Sequence, residues 1–565
     1  MNMVRRVIYV VTLALASASV ARAADIIAKH HVIAAANPYA AEAGRQMMRE
    51  GGSAVDAAIA AQLVLTLVEP ESSGIGGGDF MMVYDPKSGK VSSFDGRETA
   101  PASATPGMFL DATGKPRAHF DAIPGGLSTG VPGVIAMFDM AHKKYGRLPW
   151  AKLFAPAIKL AQNGFPVGRK LAATLRAFPQ LAGMPDIKRY FYKADGTPLA
   201  QGEVLKNPEF AKTLRLIAKG GPKAFYTGQI AQHIVDAVQH APVNPGGMTL
   251  ADLASYHAVE RPAVCGTYRQ YRLCSMGPPS SGGVAVLQIL GMLERFPKSQ
   301  LQPESQSGVH LFTQASRLAF ADRAMYLADP DVINVPVAGL IDPTYLAQRS
   351  ALIDPAKDMG TAQAGSPPQK HARFAPQRTP QLPGTSHLSI VDDRGEVVSM
   401  TMTVEFVFGS EIMANGFFLN NELTDFSFEP LRDGKPVANS PAPGKRPMSA
   451  MSPTIAFGPD GKFAIATGSP GGPAIIDFVA QSLIAMIDAG LAPQPATALP
   501  HSLNLNGRTI LEKGTPLEAL AVPLTAMGHA VVSSDLESGL HIIQHVPGGY
   551  AGGADPRRDG EVLGD

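Results

Sequence analysis

The chain has 565 residues, enough for a large buried core and for more than one folding unit. Its charge is nearly balanced, with 49 Lys and Arg against 48 Asp and Glu and a net of +1, which excludes the basic stripe of a nucleic-acid binder. Hydrophobic residues at 45% with 57 Gly and 48 Pro point to a loop-rich globular protein rather than a disordered one.

Taken in chain order, Arg5 and Arg6 precede an apolar run from Val7 to about Val20, closed by Ala21-Arg22-Ala23. That is the layout of a secretory signal peptide over residues 1–23 with an A-x-A cleavage site, and the expected location is periplasmic or secreted. The run is short for a spanning helix of about 20 residues, and no later run is long enough to cross a bilayer. Asn37-Pro38 opens a first helix, Gly51-Gly52 ends it, and Ser53 caps a second from Ala54 to about Val68. The second helix is apolar almost all round, so it is expected to be buried. The glycines of Gly74–Gly78 follow a helix and open a strand, the reverse of a dinucleotide loop, and predict close backbone packing. The next strand, "KVSSFD", runs into Arg97-Glu98, which read as exposed.

From about 130 to 350 the chain reads as mostly helical. Within it, Cys265 and Cys274 of "CGTYRQYRLC" face each other across a predicted hairpin and form either a disulfide or two buried thiols. They are the only cysteines, and with no H-E-x-x-H they do not make a zinc site. Residues 354–384 hold six prolines and no periodicity, and read as a flexible linker. The densest strand signal follows at once: "HLSIVDD", a turn at Asp393-Arg394-Gly395, then "EVVSMTMTVE". Further strands are expected in "NGFFLNNE", "MSPTIAF", "KFAIATGS", "HAVVSSD" and "GLHIIQHV", with a helix from about Pro473 to Asp488. The tally is helices outside and an antiparallel-looking sheet inside.

A linker that runs into a Thr opening a central strand has a specific chemical use. If the Gly384–Thr385 bond is cut, Thr385 carries a free α-amine beside its own hydroxyl. Such an amine has a pKa of ~7.7–8.0 and can serve as the base for that hydroxyl. Gly384, without a side chain, leaves room for the hydroxyl to attack its carbonyl and cut the chain. The competing reading, an ordinary loop-to-strand Thr, gives way because of the motifs around it.

"EPESSGIGGG", "FDGRETAPA", "PPSSGG", "ADRAMYLADPD", "TSHLSIVDDRG", "NNELTDFS", "GKRPMSAMSPTI", "TGSPGG" and the final "ADPRRDGEV" occur in that order. Together they resemble the γ-glutamyltransferase (glutathione hydrolase) family over nearly the whole mature chain. The resemblance implies an α+β fold, a four-layer αββα sandwich of the N-terminal nucleophile class. It also implies a proenzyme cut before Thr385 into a large subunit, 24–384, and a small catalytic one, 385–565, that stay together as a heterodimer. By the same resemblance Thr385 is the nucleophile, Thr403 hydrogen-bonds its hydroxyl or amine, and Gly471 and Gly472 form the oxyanion hole. Arg97 and Ser449 hold the α-carboxylate of the substrate, while Asp425 and Glu405 face its α-ammonium. Glu422 stands where Asn or Gln is common. No metal or organic cofactor is implied, and the partners are small γ-glutamyl amides such as glutathione.

Two departures stand out. Ala450 replaces the second of two serines, removing one donor to the carboxylate; a hydrogen bond to a charged group is worth roughly 1.5–3 kcal/mol. The stretch after "TDFS", "FEPLRDGKPVANSPAPG", lacks the Tyr that some members place on a lid, which implies an open pocket. The expected activity is γ-glutamyl hydrolysis and transfer. The alternatives are an acylase of the same fold acting on glutaryl or cephalosporin side chains, and an uncleaved binding protein for γ-glutamyl compounds.

Overall fold

The computed structural model describes residues 26–369, 374–378, 382 and 384–565; the segment read as a signal peptide lies outside the described residues. The strands of two large sheets, in chain order, are β1 (Ile26–Ala28), β2 (Val32–Ala35), β3 (Gly78–Asp85), β4 (Lys90–Asp95), β5 (Val259–Arg261), β6 (Val264–Tyr268) and β7 (Tyr271–Ser275), then β8 (Ser386–Val391), β9 (Val397–Thr403), β10 (Thr454–Phe457), β11 (Phe463–Thr467), β12 (His541–Val546), β13 (Gly549–Ala554) and β14 (Glu561–Gly564). Sheet one runs β14–β2–β8–β9–β3–β4–β5 and sheet two β1–β13–β12–β11–β10–β7–β6. All neighbours are antiparallel.

The two sheets face each other through β8, β9 and β3 on one side and β10, β11 and β12 on the other. Every residue of β8 and β9 is buried, so the period-2 alternation of side chains sorts them between two different cores. Leu388, Ile390, Val398 and Met400 join the apolar core that also holds helix α2 (Ala54–Val68). The opposite side chains, His387, Ser389, Ser399 and Thr401, enter the layer between the sheets. There His387 Nδ1 lies 2.8 Å from Thr401 Oγ1, Ser389 donates to His541 O at 2.9 Å and Ser399 to Thr467 O at 3.0 Å. Burial in this layer holds His387 well below the ordinary imidazole range, with His541 adding to the effect.

The helix preceding α2 is Pro38–Arg49, with Asn37 as its cap. Ser53 and Asp56 form a reciprocal capping box on α2, and every residue of α2 is buried. Gly76 and Gly77 show why that run must be side-chain-free: a Cβ on Gly77 would lie 1.9 Å from Thr403 O, and one on Gly76 2.0 Å from Phe418 O. Over sheet two lie α3 (Gly282–Leu293) and α4 (Ile475–Ile487), sharing its core. Cys265 and Cys274 are opposed in the β6–β7 ladder and joined by a disulfide. Among the described residues no helix is long and apolar enough to cross a membrane.

Two expectations change. Arg97 and Glu98 are fully buried, not exposed, because the chain leaving β4 dives beneath the loop 445–451. The described part of 354–384 carries no helix or regular strand, but polar contacts pin it. His310 Nε2 lies 2.8 Å from Asp354 O, Arg317 pairs with Asp358 at 3.0 Å, Ala362 N bonds Asn506 at 2.8 Å and Gly365 N bonds Asp322 at 2.8 Å.

Candidate active site

Thr385 sits one residue before β8, and Thr403 is the last residue of β9. Both are buried at the end of the polar layer between the sheets. The carbonyl of Gly384 lies between them. It accepts from Thr385 Oγ1 at 2.5 Å and from Thr403 Oγ1 at 2.6 Å. In the intact chain Thr403 therefore holds the carbonyl at the junction rather than the Thr385 hydroxyl. On its far side, Thr385 O accepts from Arg558 Nη1 at 2.8 Å. The junction is thus clamped before and after the bond. Gly384 is side-chain-free for a different reason from the one expected: a Cβ there would lie 2.2 Å from Glu405 O.

The hydroxyl of Thr385 faces a cavity of about 20 Å³ whose lining includes Arg97, Thr403, Glu405, Asp425, Ser449 and Ala450. Glu422 and Gly472 also line it, whereas Gly471 lines a neighbouring cavity on the other side of Gly384. Both glycines have positive φ, 135° and 57°. All ten residues expected at the site therefore gather around one junction. The open pocket expected from the missing Tyr is not found in the intact chain. Leu382 and Gly384 line it, and the space left holds about one water. The stretch after "TDFS" forms a small exposed hairpin, Leu431–Arg432 with Lys435–Pro436, tied to the upstream segment where Arg432 Nη1 donates to Pro376 O.

Arg97 is nearly saturated. Its guanidinium donates to Pro447 O at 3.0 Å, to Met448 O at 3.2 Å, to Asp425 at 2.5 Å and to Glu422. A guanidinium has five N–H groups, so little is free for a new anion. The expected carboxylate receptor and the expected ammonium receptor hold each other. Glu98, also buried, lies 3.8 Å from Arg97 Nη1. Glu405 completes the cluster, with backbone φ of 79° and a carboxylate held by Asn421 Nδ2 at 2.5 Å. The carboxyls of Glu422, Asp425 and Glu98 thus share one guanidinium in a buried site, with Glu405 against Asp425 and Glu422, and protons make up the difference. Burial pushes Glu422 up to about 7 against the pull of Arg97. Burial and neighbouring acids push Glu98 and Glu405 well above the ordinary carboxyl range. Arg97 stays charged: burial opposes this, but Glu422, Asp425 and Glu98 outweigh it.

The gamma-glutamyltranspeptidase family model matches residues 40–565. The chain belongs to that family. It is 37% identical to the glutathione hydrolase proenzyme of Bacillus subtilis (strain 168), over 95% of this chain and 92% of that protein. It is 38% identical to the glutathione hydrolase proenzyme of Escherichia coli (strain K12), over 94% and 91%. Among solved structures, cephalosporin acylase from Bacillus halodurans superposes with a TM-score of 0.84 at 27% identity, covering 98% of this chain and 99% of that one. The mixed helix-and-sheet architecture is that of the family.

Residues that sequence reasoning passed over complete the site. Asn421 orients Glu405 and also accepts from Phe406 N at 2.9 Å. Asn420 bridges Gly76 O and Gly130 O, tying the glycine-rich loop to the "NNELTD" turn. Arg558 lies in "ADPRRDG", a motif seen without a role. Beneath Thr385, Ser386 Oγ donates to Glu69 Oε2 at 2.9 Å. The double Asn and the acidic "EPE" were visible in the sequence; nothing there assigned them to the nucleophile.

Proposed function

We propose that this chain is a self-processing γ-glutamyl hydrolase and transferase, active only after the Gly384–Thr385 bond is broken. The arrangement that carries the reading is the Thr385 hydroxyl 2.5 Å from Gly384 O, with Thr403 Oγ1 on the same oxygen. Attack by Thr385 Oγ1 on the Gly384 carbonyl carbon replaces the amide with an ester and frees the Thr385 amine. Thr403 stabilises the negative charge developing on the oxygen, an effect worth ~3–4 kcal/mol when a well-placed donor is lost. Water then cleaves the ester, leaving a large subunit, 24–384, and a small one, 385–565. The fold is the four-layer αββα sandwich of N-terminal nucleophile enzymes, a reading supported by the paired sheets and their flanking helices.

In the processed enzyme the Thr385 amine takes the hydroxyl proton and the oxygen attacks the γ-amide, giving an acyl-enzyme that water, an amino acid or a peptide resolves. Gly471 and Gly472 supply backbone N–H groups to the oxyanion. The donor's α-carboxylate replaces a carboxylate on Arg97 with help from Ser449, and its α-ammonium takes over Asp425 and Glu405. Export is expected from the N-terminal leader. Thr385→Ala tests the reading. Wild type should run as bands of about 38 and 19 kDa, in proportion to 59.3 kDa for the chain; the variant should stay whole and inactive. A variant that matures normally contradicts the assignment.

A second reading, an acylase for glutaryl or cephalosporin side chains, is favoured by the likeness to cephalosporin acylase from Bacillus halodurans. Turnover of γ-glutamyl against glutaryl anilide by processed enzyme separates the two.

A further inference from the structure

Two side chains bridge the receptor residues. Arg97 is the first: its Nη2 donates to Asp425 Oδ2 at 2.5 Å and to the carbonyl of Met448, the residue before Ser449, at 3.2 Å. Asn439 is the second. Its Nδ2 donates to Asp425 O at 2.8 Å, and its Oδ1 accepts from Met448 N at 3.0 Å. The other N–H of the amide goes to Gln377 Oε1 at 2.8 Å, and the Asn439 carbonyl accepts from Ser427 N at 2.8 Å. Asn439 is buried, and both donors and the oxygen of its side chain are used. Lys445, also buried, donates from Nζ to Ala438 O at 2.6 Å and to Ser440 O at 2.9 Å. Those are the carbonyls on either side of Asn439. Burial lowers Lys445 to about 8, against the pull of Asp329. A buried ammonium is costly to desolvate; an apolar side chain would fill the same space without gripping the backbone around Asn439.

We propose that Asn439 is a positioning residue for donor recognition, setting the distance between the ammonium receptor and the carboxylate receptor, with Lys445 locking it in place. The proposal rests on the γ-glutamyl reading above. The two bridges differ in what a bound donor does to them. Its carboxylate and ammonium take over the groups by which Arg97 holds Asp425, so the Arg97 bridge opens. The Asn439 bridge uses backbone atoms of Asp425 and Met448 and leaves the Asp425 and Ser449 side chains to the donor, so it stays closed. A γ-glutamyl group carries ammonium and carboxylate on a single carbon and fits one spacing of the receptors. A glutaryl group carries the carboxylate alone and does not sense that spacing.

The test is KM for γ-glutamyl-p-nitroanilide and glutaryl-p-nitroanilide on processed enzyme. Asn439→Ala should raise the γ-glutamyl KM relative to the glutaryl KM by about tenfold, with kcat for γ-glutamyl within about threefold of wild type. Lys445→Met keeps an apolar stem without the ammonium, and should raise the same ratio by about threefold. A general structural defect moves both donors together and leaves the ratio unmoved. An Asn439→Ala ratio within about twofold of wild type, or a loss confined to kcat, overturns the proposal. If Asn439→Ala does not mature, Lys445→Met decides by the same limit. A donor that wild type does not turn over is titrated as an inhibitor of the other, and its Ki stands for its KM. Failure of the γ-glutamyl reading therefore shows separately, as no nitroaniline from that donor with wild type. A wild type that neither turns over nor binds γ-glutamyl anilide overturns both.

Discussion

Arg97 shows what a single residue can and cannot disclose. Its importance was legible from "FDGRETAPA"; its burial was not, because an Arg-Glu pair after a strand ordinarily lies at the surface. The structure puts it among four carboxyls, of which Glu422 titrates at about 7. Glu422 is raised, so it is neutral below that pH and anionic above. As an anion it competes with the donor's carboxylate for the guanidinium. Donor KM should therefore rise as pH climbs through about 7, by up to about tenfold per unit. In Glu422→Gln that rise should vanish; an unchanged KM profile contradicts the assignment. At Ala450 the missing hydroxyl makes the second residue-scale prediction. Ala450→Ser should lower KM for γ-glutamyl and glutaryl anilides alike, by about tenfold or more, because both acyl groups carry the carboxylate and only the ammonium distinguishes them. No change in KM for either donor would contradict the placement of residue 450 at the carboxylate.

At the scale of elements, the sequence was readable where local chemistry and burial agree. Ser53 with Asp56 marks the start of α2, and the hydrophobic run predicts its full burial. The β8–β9 hairpin follows from dense β-branched and apolar residues around Gly395. β13, "GYAGGA", was missed because glycine and alanine give no alternation to read, although its ladder to β12 is regular. The polar layer between the sheets was also hidden: Ser, Thr and His in a strand look solvent-facing until a second sheet covers them. Close approach gives the element-scale prediction. Gly77→Ala would press a methyl against Thr403 O and force β3 from β9 at the catalytic end. The precursor should then remain largely uncut and melt several degrees lower. Normal maturation of this variant would mean that the end of β9 tolerates displacement.

Across the whole molecule, the two halves of the chain are interleaved. In sheet one, β8 and β9 lie between β2 and β3; in sheet two, β6 and β7 border β10. Cutting at 384 leaves every ladder intact, so the subunits need no separate docking step. Buried charge sets the pH response of this assembly. Glu69, Glu396, Glu411, Glu422 and Asp477 are raised to about 7, and Glu71 to about 8, chiefly by burial. Each holds a proton in the fold that the unfolded chain has already lost, so stability falls as pH rises toward 8. His501, His529 and His541 are lowered to about 3, 4 and 4, again chiefly by burial. Their effect is confined to pH below about 6.5, where the unfolded imidazoles take up protons and stability falls with falling pH. Between about 6.5 and 8 the carboxyls outweigh Lys445, which burial lowers to about 8, and Tm should drop over that interval. A flat or rising Tm there would show that these acids ionise freely in the fold.

The central claim is that a broken backbone creates the catalyst. Intact-mass measurement on fully active protein tests it most directly. The account predicts two polypeptides, the smaller beginning at Thr385 and ending at Asp565, with activity rising in step with their formation. Full activity in a chain unbroken across residues 384 and 385 would contradict it.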